Sequence, residues 1–199
     1  MAKVLIQAGI VCDFLNQPYE AVELLEKAIE VLTHSGEEGR EFLVIGLHNL
    51  ADYLISAGQL AKARELLDVI EEPLTATGHV SALKLTWTRG RLASYAGMEK
   101  EARDCYEAAR AGFREQGMRR EVALISLHLA ALHHQYGRYA TCVREALKVK
   151  PELEALGLDQ DVQVTDLLGQ IATRSGDLER DLLTLTTVIS GSRQKRPAD

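Results

Sequence analysis

The chain has 199 residues, of which 46% are hydrophobic and 26% charged, and its formal net charge is −6. That acidic balance lacks the broad basic surface that releases counterions from phosphates, so direct nucleic-acid binding is not expected. No apolar run reaches the roughly 18 residues of a membrane span.

The elements follow in chain order. The opening "MAKVLIQAGIVCDFLNQ" lacks a small-residue cleavage site before its helical pattern continues, so it reads as structure rather than a leader. Glycine or proline breaks then recur, and between them segments such as "AVELLEKAIEVL" and "ALISLHLAALHH" carry apolar residues at i, i+3, i+4 and i+7. The breaks predict helix pairs over 3–15 and 18–34, 40–57 and 59–76, 79–96 and 98–117, 119–136 and 138–155, and 159–174 and 177–190. Pro73 and Pro151 are expected to kink or end their helices early. Strand patterns are absent. The three cysteines, Cys12, Cys105 and Cys142, have no CxxC spacing, which predicts reduced thiols in a cytoplasm.

The pairs repeat. Small residues stand late in each first helix at Gly9, Ala51, Gly90, Ala130 and Gly169, with gaps of 42, 39, 40 and 39. Seven residues later come the turn residues Asn16, Gly58, Gly97, Gly137 and Gly176, suited to the left-handed conformation that ends a helix. Two further columns keep the frame: Ala21, Ala63, Ala102, Cys142 and Asp181, then Leu25, Leu67, Tyr106, Ala146 and Leu185. Small residues let two helix backbones approach, and large ones fill the gap between units. The expected fold is all-α, a right-handed α-solenoid of about five antiparallel helix pairs. One domain over 1–191 comprises units of about 2–37, 38–77, 78–117, 118–156 and 157–191, with a flexible tail over 192–199.

These columns carry a resemblance. "LHNLADYLISAGQLAKARELL" and "GMEKEARDCYEAA" resemble tetratricopeptide repeats (TPRs), with a period near 40 residues instead of the usual 34 or so. The stretch from Trp87 through Gly90, Arg91, Gly112, Phe113 and Gly117 to Ala123, Leu124, Ser126, Leu127, Leu129 and Ala130 is similar to the C-terminal TPR region of bacterial regulatory proteins. It departs from that pattern at His128 and in a final unit weakened by Asp181. The resemblance implies a non-catalytic TPR superhelix that binds a protein or peptide in a bacterial regulatory or assembly system. A peptide-sensing regulator and a self-assembling scaffold are the alternatives. An enzyme is disfavoured, because the repeats consume the chain and no catalytic constellation or cofactor loop is visible.

In such a fold the first helices line a groove. The frame places His48, Asn49 and Asp52 there, with Lys84, Trp87, Thr88, Arg91 and Tyr95 in the next unit, and His128, His134 and Gln135 in the fourth. Asn49 matches the position that holds a ligand backbone in peptide-binding repeats, a task suited to an amide that donates and accepts. Trp87 is either a binding anchor or a spacer between consecutive first helices, with Arg91 stacked on it or paired with Asp52. His128 and His134 are six apart, not the i, i+4 of a metal pair, so no metal and no cofactor is expected. The first helix carries Ile6, Ile10 and Phe14 at i, i+4 and i+8, with Val4 and Val11 beside them, on a face that should be polar. The expected cover is a second copy of the chain, a homodimer through the N-terminal unit; upstream sequence or a partner is the alternative cover, and a groove that curls enough to bury the stripe is the alternative to any cover.

Overall fold

The computed structural model describes residues 1–173 apart from 16 and 35, and not the side chains of 13, 14, 36–41 and 171–173. Nine helices lie among the described residues: α1 Ala2–Phe14, α2 Pro18–Thr33, α3 Gly36–Ser56, α4 Leu60–Ala76, α5 His79–Tyr95, α6 Glu99–Glu115, α7 Arg119–Gln135, α8 Tyr139–Ala155 and α9 Asp159–Thr173. None is long and apolar enough to cross a membrane. The expected helix over 177–190, the columns at Asn16, Gly176, Asp181 and Leu185, and the tail over 192–199 fall outside the described residues.

The chain divides into two compact units, Met1–Ala102 and Arg103–Asp199. In the first, α1 packs on α2, α2 on α3, α3 on α4, and α4 on α5. Its core holds Ala21, Leu25, Ala51, Leu54, Ile55, Ala63, Leu67 and Ile70, all at most 3% exposed. In the second, α7 packs on α8 and α8 on α9, and Leu127, Ala130, Cys142, Ala146, Val164 and Leu168 form one buried cluster. The small and large repeat columns are therefore core positions as far as the described residues go, except at Gly169, which is half-buried with nothing within 4 Å of a Cβ, whereas the turn glycines Gly58 and Gly97 are exposed. Burying each leucine contributes about 1.5–3 kcal/mol. Close approach is required at Gly9, where a Cβ would stand 3.2 Å from Leu25 Cδ1 and 3.4 Å from the Ala21 carbonyl oxygen.

Helix ends are set by glycine. At Gly97 the backbone turns left-handed (φ 73°), its N–H bonds the Ser94 carbonyl, and the Met98 N–H reaches back to Ala93. This six-to-one bond closes the helix and satisfies carbonyls that would otherwise be orphaned. The same pair of bonds recurs at Gly58, Gly117, Gly137 and Gly157. A left-handed glycine thus follows almost every helix between α3 and α9, between pairs as well as within them. Gly78 differs: at φ 130° it is the residue before α5 rather than a left-handed cap.

Neither proline ends its helix. Pro73 lies inside α4, which runs to Ala76, and Pro151 lies inside α8, which runs to Ala155. A helical proline frees the carbonyl four residues back. Those residues are Val69 and Leu147, 72% and 62% exposed, and both prolines sit on the solvent side, where a freed carbonyl costs least. The helix α3 also starts earlier than expected, at Gly36 instead of 40.

Candidate functional site

The inner seam of the first unit is made by two consecutive first helices, α3 and α5, which are in contact. Helical spacing puts His48, Asp52 and Ser56 on one face of α3, four residues apart. Lys84, Thr88 and Trp87, Arg91, Tyr95 take adjoining faces of α5 in the same way. The two faces meet at equivalent repeat positions, since Asp52 follows Ala51 as Arg91 follows Gly90.

Arg91 is the centre of the meeting. Its side chain is 2% exposed, and it donates from Nη1 to Asp52 Oδ1 and from Nη2 to Ser56 Oγ at 3.1 Å. Of the two alternatives that the sequence left for Arg91, the structure adopts the pair with Asp52. One donor remains: Arg91 Nε is buried without a hydrogen-bond partner among the described residues. An unsatisfied buried donor costs about 1–3 kcal/mol. Nearby, His48 Nε2 and Thr88 Oγ1 share a hydrogen bond of 3.0 Å, and Thr88 is buried. Asn49, Lys84 and Trp87 are half-buried, and Tyr95 is 40% exposed. The seam thus offers a fixed polar centre with an aromatic residue one turn away on either side.

The expected groove residues of the fourth repeat lie in the second unit. His128 stacks on Tyr106 with ring centroids 5.5 Å apart, and His134 meets Tyr139 edge-on at 5.3 Å. Both histidines are buried, while Gln135 is exposed. Among the described residues no three His, Cys, Asp or Glu side chains are grouped to hold a metal ion.

At the N-terminus, Ile6 is half-buried and packs against the first unit's core, and Ile10 is half-buried. The Phe14 side chain is outside the described residues. The apolar side chains that α1 and its end expose are Val4 (71%), Val11 (54%) and Leu15 (59%). The exposed side chains therefore lie beside the Ile6–Ile10 stripe expected from the sequence, of which Ile6 packs against the core.

Sequence reasoning missed a cluster of charges on the second unit. Arg119 on α7 grips Glu152 on α8 through two bonds, of 2.7 and 2.9 Å, from Nε and Nη2. This pairing holds the Glu152 carboxyl below its usual range and raises Arg119. Lys150 pairs with Asp166, and Arg110 with Glu145. The only trace in the sequence was an arginine pair opening α7; their partners lie far along the chain.

No family model and no curated protein matches the sequence. Solved structures do resemble it. A Rap protein, solved in complex with competence and sporulation factor, aligns with a TM-score of 0.73 and 19% identity over 96% of this chain. The chain spans about half of that protein, 53% of its length. A putative kinesin light chain of Podospora anserina with nearly identical TPR-like repeats aligns with a TM-score of 0.60 and 18% identity, over 98% of this chain and 97% of that one. The fold is therefore all-α and TPR-like.

Proposed function

We propose that the chain is a non-catalytic TPR-like module that binds an extended segment of a protein or peptide on the α3–α5 seam, within a bacterial regulatory or assembly system. The observation that carries this is Arg91. The hydrophobic core does not need a guanidinium there, yet it is buried, fixed by Asp52 and Ser56, and left with an unused Nε donor. The donor is closed off in this structure; with the side chains over it parted, a backbone carbonyl of an incoming segment would satisfy it. Trp87 and Tyr95 flank it as aromatic anchors, Asn49 and Lys84 supply further polar contacts, and tryptophan, tyrosine and arginine are the residues most enriched at binding hot spots. The Rap complex supports the reading, because a protein of this fold there holds another molecule. In the second unit, Gln135 is the one exposed member of the expected groove set, with His128 and His134 behind it in the buried layer.

A random peptide library panned against the chain tests this. Recovered peptides should lose affinity by about 2 kcal/mol or more with Trp87→Ala, and should also weaken with Arg91→Lys, which keeps the charge but removes the Nε–H. Unchanged affinity alongside lowered thermal stability would make Trp87 a spacer between helices and Arg91 a structural pair.

A second reading, self-association through α1, is favoured by the exposure of Val4, Val11 and Leu15. Light scattering of the wild-type chain and Val11→Glu decides it, a monomer in both cases being the adverse result. The cytoplasm suits three cysteines that form no disulfide, since reducing compartments keep thiols reduced.

A further inference from the structure

A cavity of about 550 Å³ opens between the second half of α6, the start of α7 and the last turns of α8. Its volume is in the range of small-ligand pockets, and every residue lining it belongs to the second unit. Small residues stand at its wall, Gly117 in the turn before α7 and Ala123 and Ser126 on α7. Met118, Val122 and Val149 supply apolar lining.

The rim is charged, and unevenly. Arg110, Arg114, Arg119 and Lys148 stand against two carboxylates, Glu145 and Glu152. Both carboxylates are already engaged. Glu152 is held by Arg119, and Glu145 is approached by Lys148 at 3.3 Å, Arg110 at 3.8 Å and Arg144 at 4.0 Å. Arg114 is exposed and makes no ion pair among the described residues. The N-terminus of α7 opens at the same place and adds its partial positive charge. A surplus of positive charge around apolar lining, on a chain of net charge −6, is a local feature with its own complement.

We infer that this cavity docks a short acidic peptide segment, with Arg114 and Lys148 holding its carboxylates and the Met118–Val122–Val149 surface taking an adjacent apolar side chain. A lone small anion would leave that apolar surface unused. A nucleic acid would meet two glutamates and lack the extended basic track it needs. Because the cavity is built from the second unit alone, the inference does not rest on the α3–α5 seam.

The probe is a fluorescein-labelled octapeptide of alternating Glu and Leu, with a Lys–Leu octapeptide as control, followed by fluorescence anisotropy on the full chain. Binding of the acidic peptide should weaken when NaCl rises from about 50 mM to about 500 mM. The double variant Arg114→Glu/Lys148→Glu should lose about 10-fold or more in affinity, whereas Arg114→Lys retains binding. Circular dichroism checks that the double variant folds; both side chains are exposed, and if it did not fold, Arg114→Ala alone would take its place. Lys62→Glu, an exposed cation of the first unit, should leave this peptide's affinity unchanged. The inference is overturned if the acidic peptide does not bind, if Lys62→Glu weakens it as much as the double variant does, or if inorganic phosphate displaces it as readily as unlabelled peptide. The last result would mark a small-anion site.

Discussion

The same repeat position has different occupants in the two units. One residue past the small column, the first unit has Asp52 on α3 and Arg91 on α5, joined as a buried pair. The second unit has Ala131 on α7 and Gln170 on α9, and its seam is closed instead by Leu127, Ala130, Val164 and Leu168. The repeat frame thus fixes where two helices meet and leaves open what chemistry closes the seam. The second unit closes its seam with a buried apolar cluster. A buried ion pair adds little or no net stability over such a closure, because desolvation offsets its attraction. The charged closure of the first unit is therefore the one to suspect of use.

Breaking the pair should give the largest effect. Asp52→Ala leaves the Arg91 guanidinium buried and uncompensated and should destabilise the chain by about 3–5 kcal/mol in urea denaturation. The double change Asp52→Leu/Arg91→Met, which imitates the second unit's seam, should recover most of that loss. If Asp52→Ala were neutral, Arg91 would have water access and the contrast between the seams would fail.

Turn and helix glycines come next. Gly97→Ala places a Cβ at φ 73° and should destabilise by about 1–2 kcal/mol. Gly46→Ala lies within α3, where a Cβ would meet Ile29 and Leu32 at 3.7 and 3.8 Å, ordinary contact distances. It should stabilise by about 0.4–1 kcal/mol through helix propensity and the unfolded chain's lost freedom. Thermal melts of the two variants should therefore shift in opposite directions.

Two smaller tests sharpen the view of the second unit. The Glu152 carboxyl is held low, first by the hydrogen bond from Arg119 and then by its charge. Its contribution is therefore full above the ordinary carboxylate range and fades as pH falls through the lowered folded value. The gap in urea midpoint between wild type and Glu152→Gln should be open at neutral pH and close on acidification. A gap independent of pH would assign the effect to packing. Finally, burial pushes the Cys142 thiol up to about 11, whereas Cys12 of the first unit is half-buried. At pH near 8 an aromatic disulfide reagent should label Cys142 only on unfolding and Cys12 before it. Equal labelling rates would show that the second unit opens locally.

The helices were legible in the sequence because small residues and turn glycines recur in step, and both act locally. Ala51 and Ala130 are fully buried where the frame requires it. The glycines between pairs, Gly117 and Gly157, obey the same local rule, although they stand outside the column of one turn residue per unit. The prolines misled because the cost of a proline depends on whether the carbonyl it frees can reach water, and that is a tertiary fact. Asp52–Arg91 was within reach, since opposite charges in one column of adjacent repeats must face each other. The cavity rimmed by Arg114 and Lys148 was not. It depends on three helices leaving a gap over α7, and no sequence spacing encodes a gap.

The regular glycine caps also bear on how the chain is assembled and taken apart. Most helices from α3 to α8 end on a glycine cap about 20 residues after the previous stop, and within each unit the packed helices are chiefly neighbours along the chain. Little chain entropy has to be surrendered to bring such partners together, so formation can begin at many hairpins and spread to their neighbours. The same layout means that tension applied to the two ends is carried in series. The expected result of pulling on the chain is stepwise release, one helix pair at a time, and a single all-or-none rupture would contradict it.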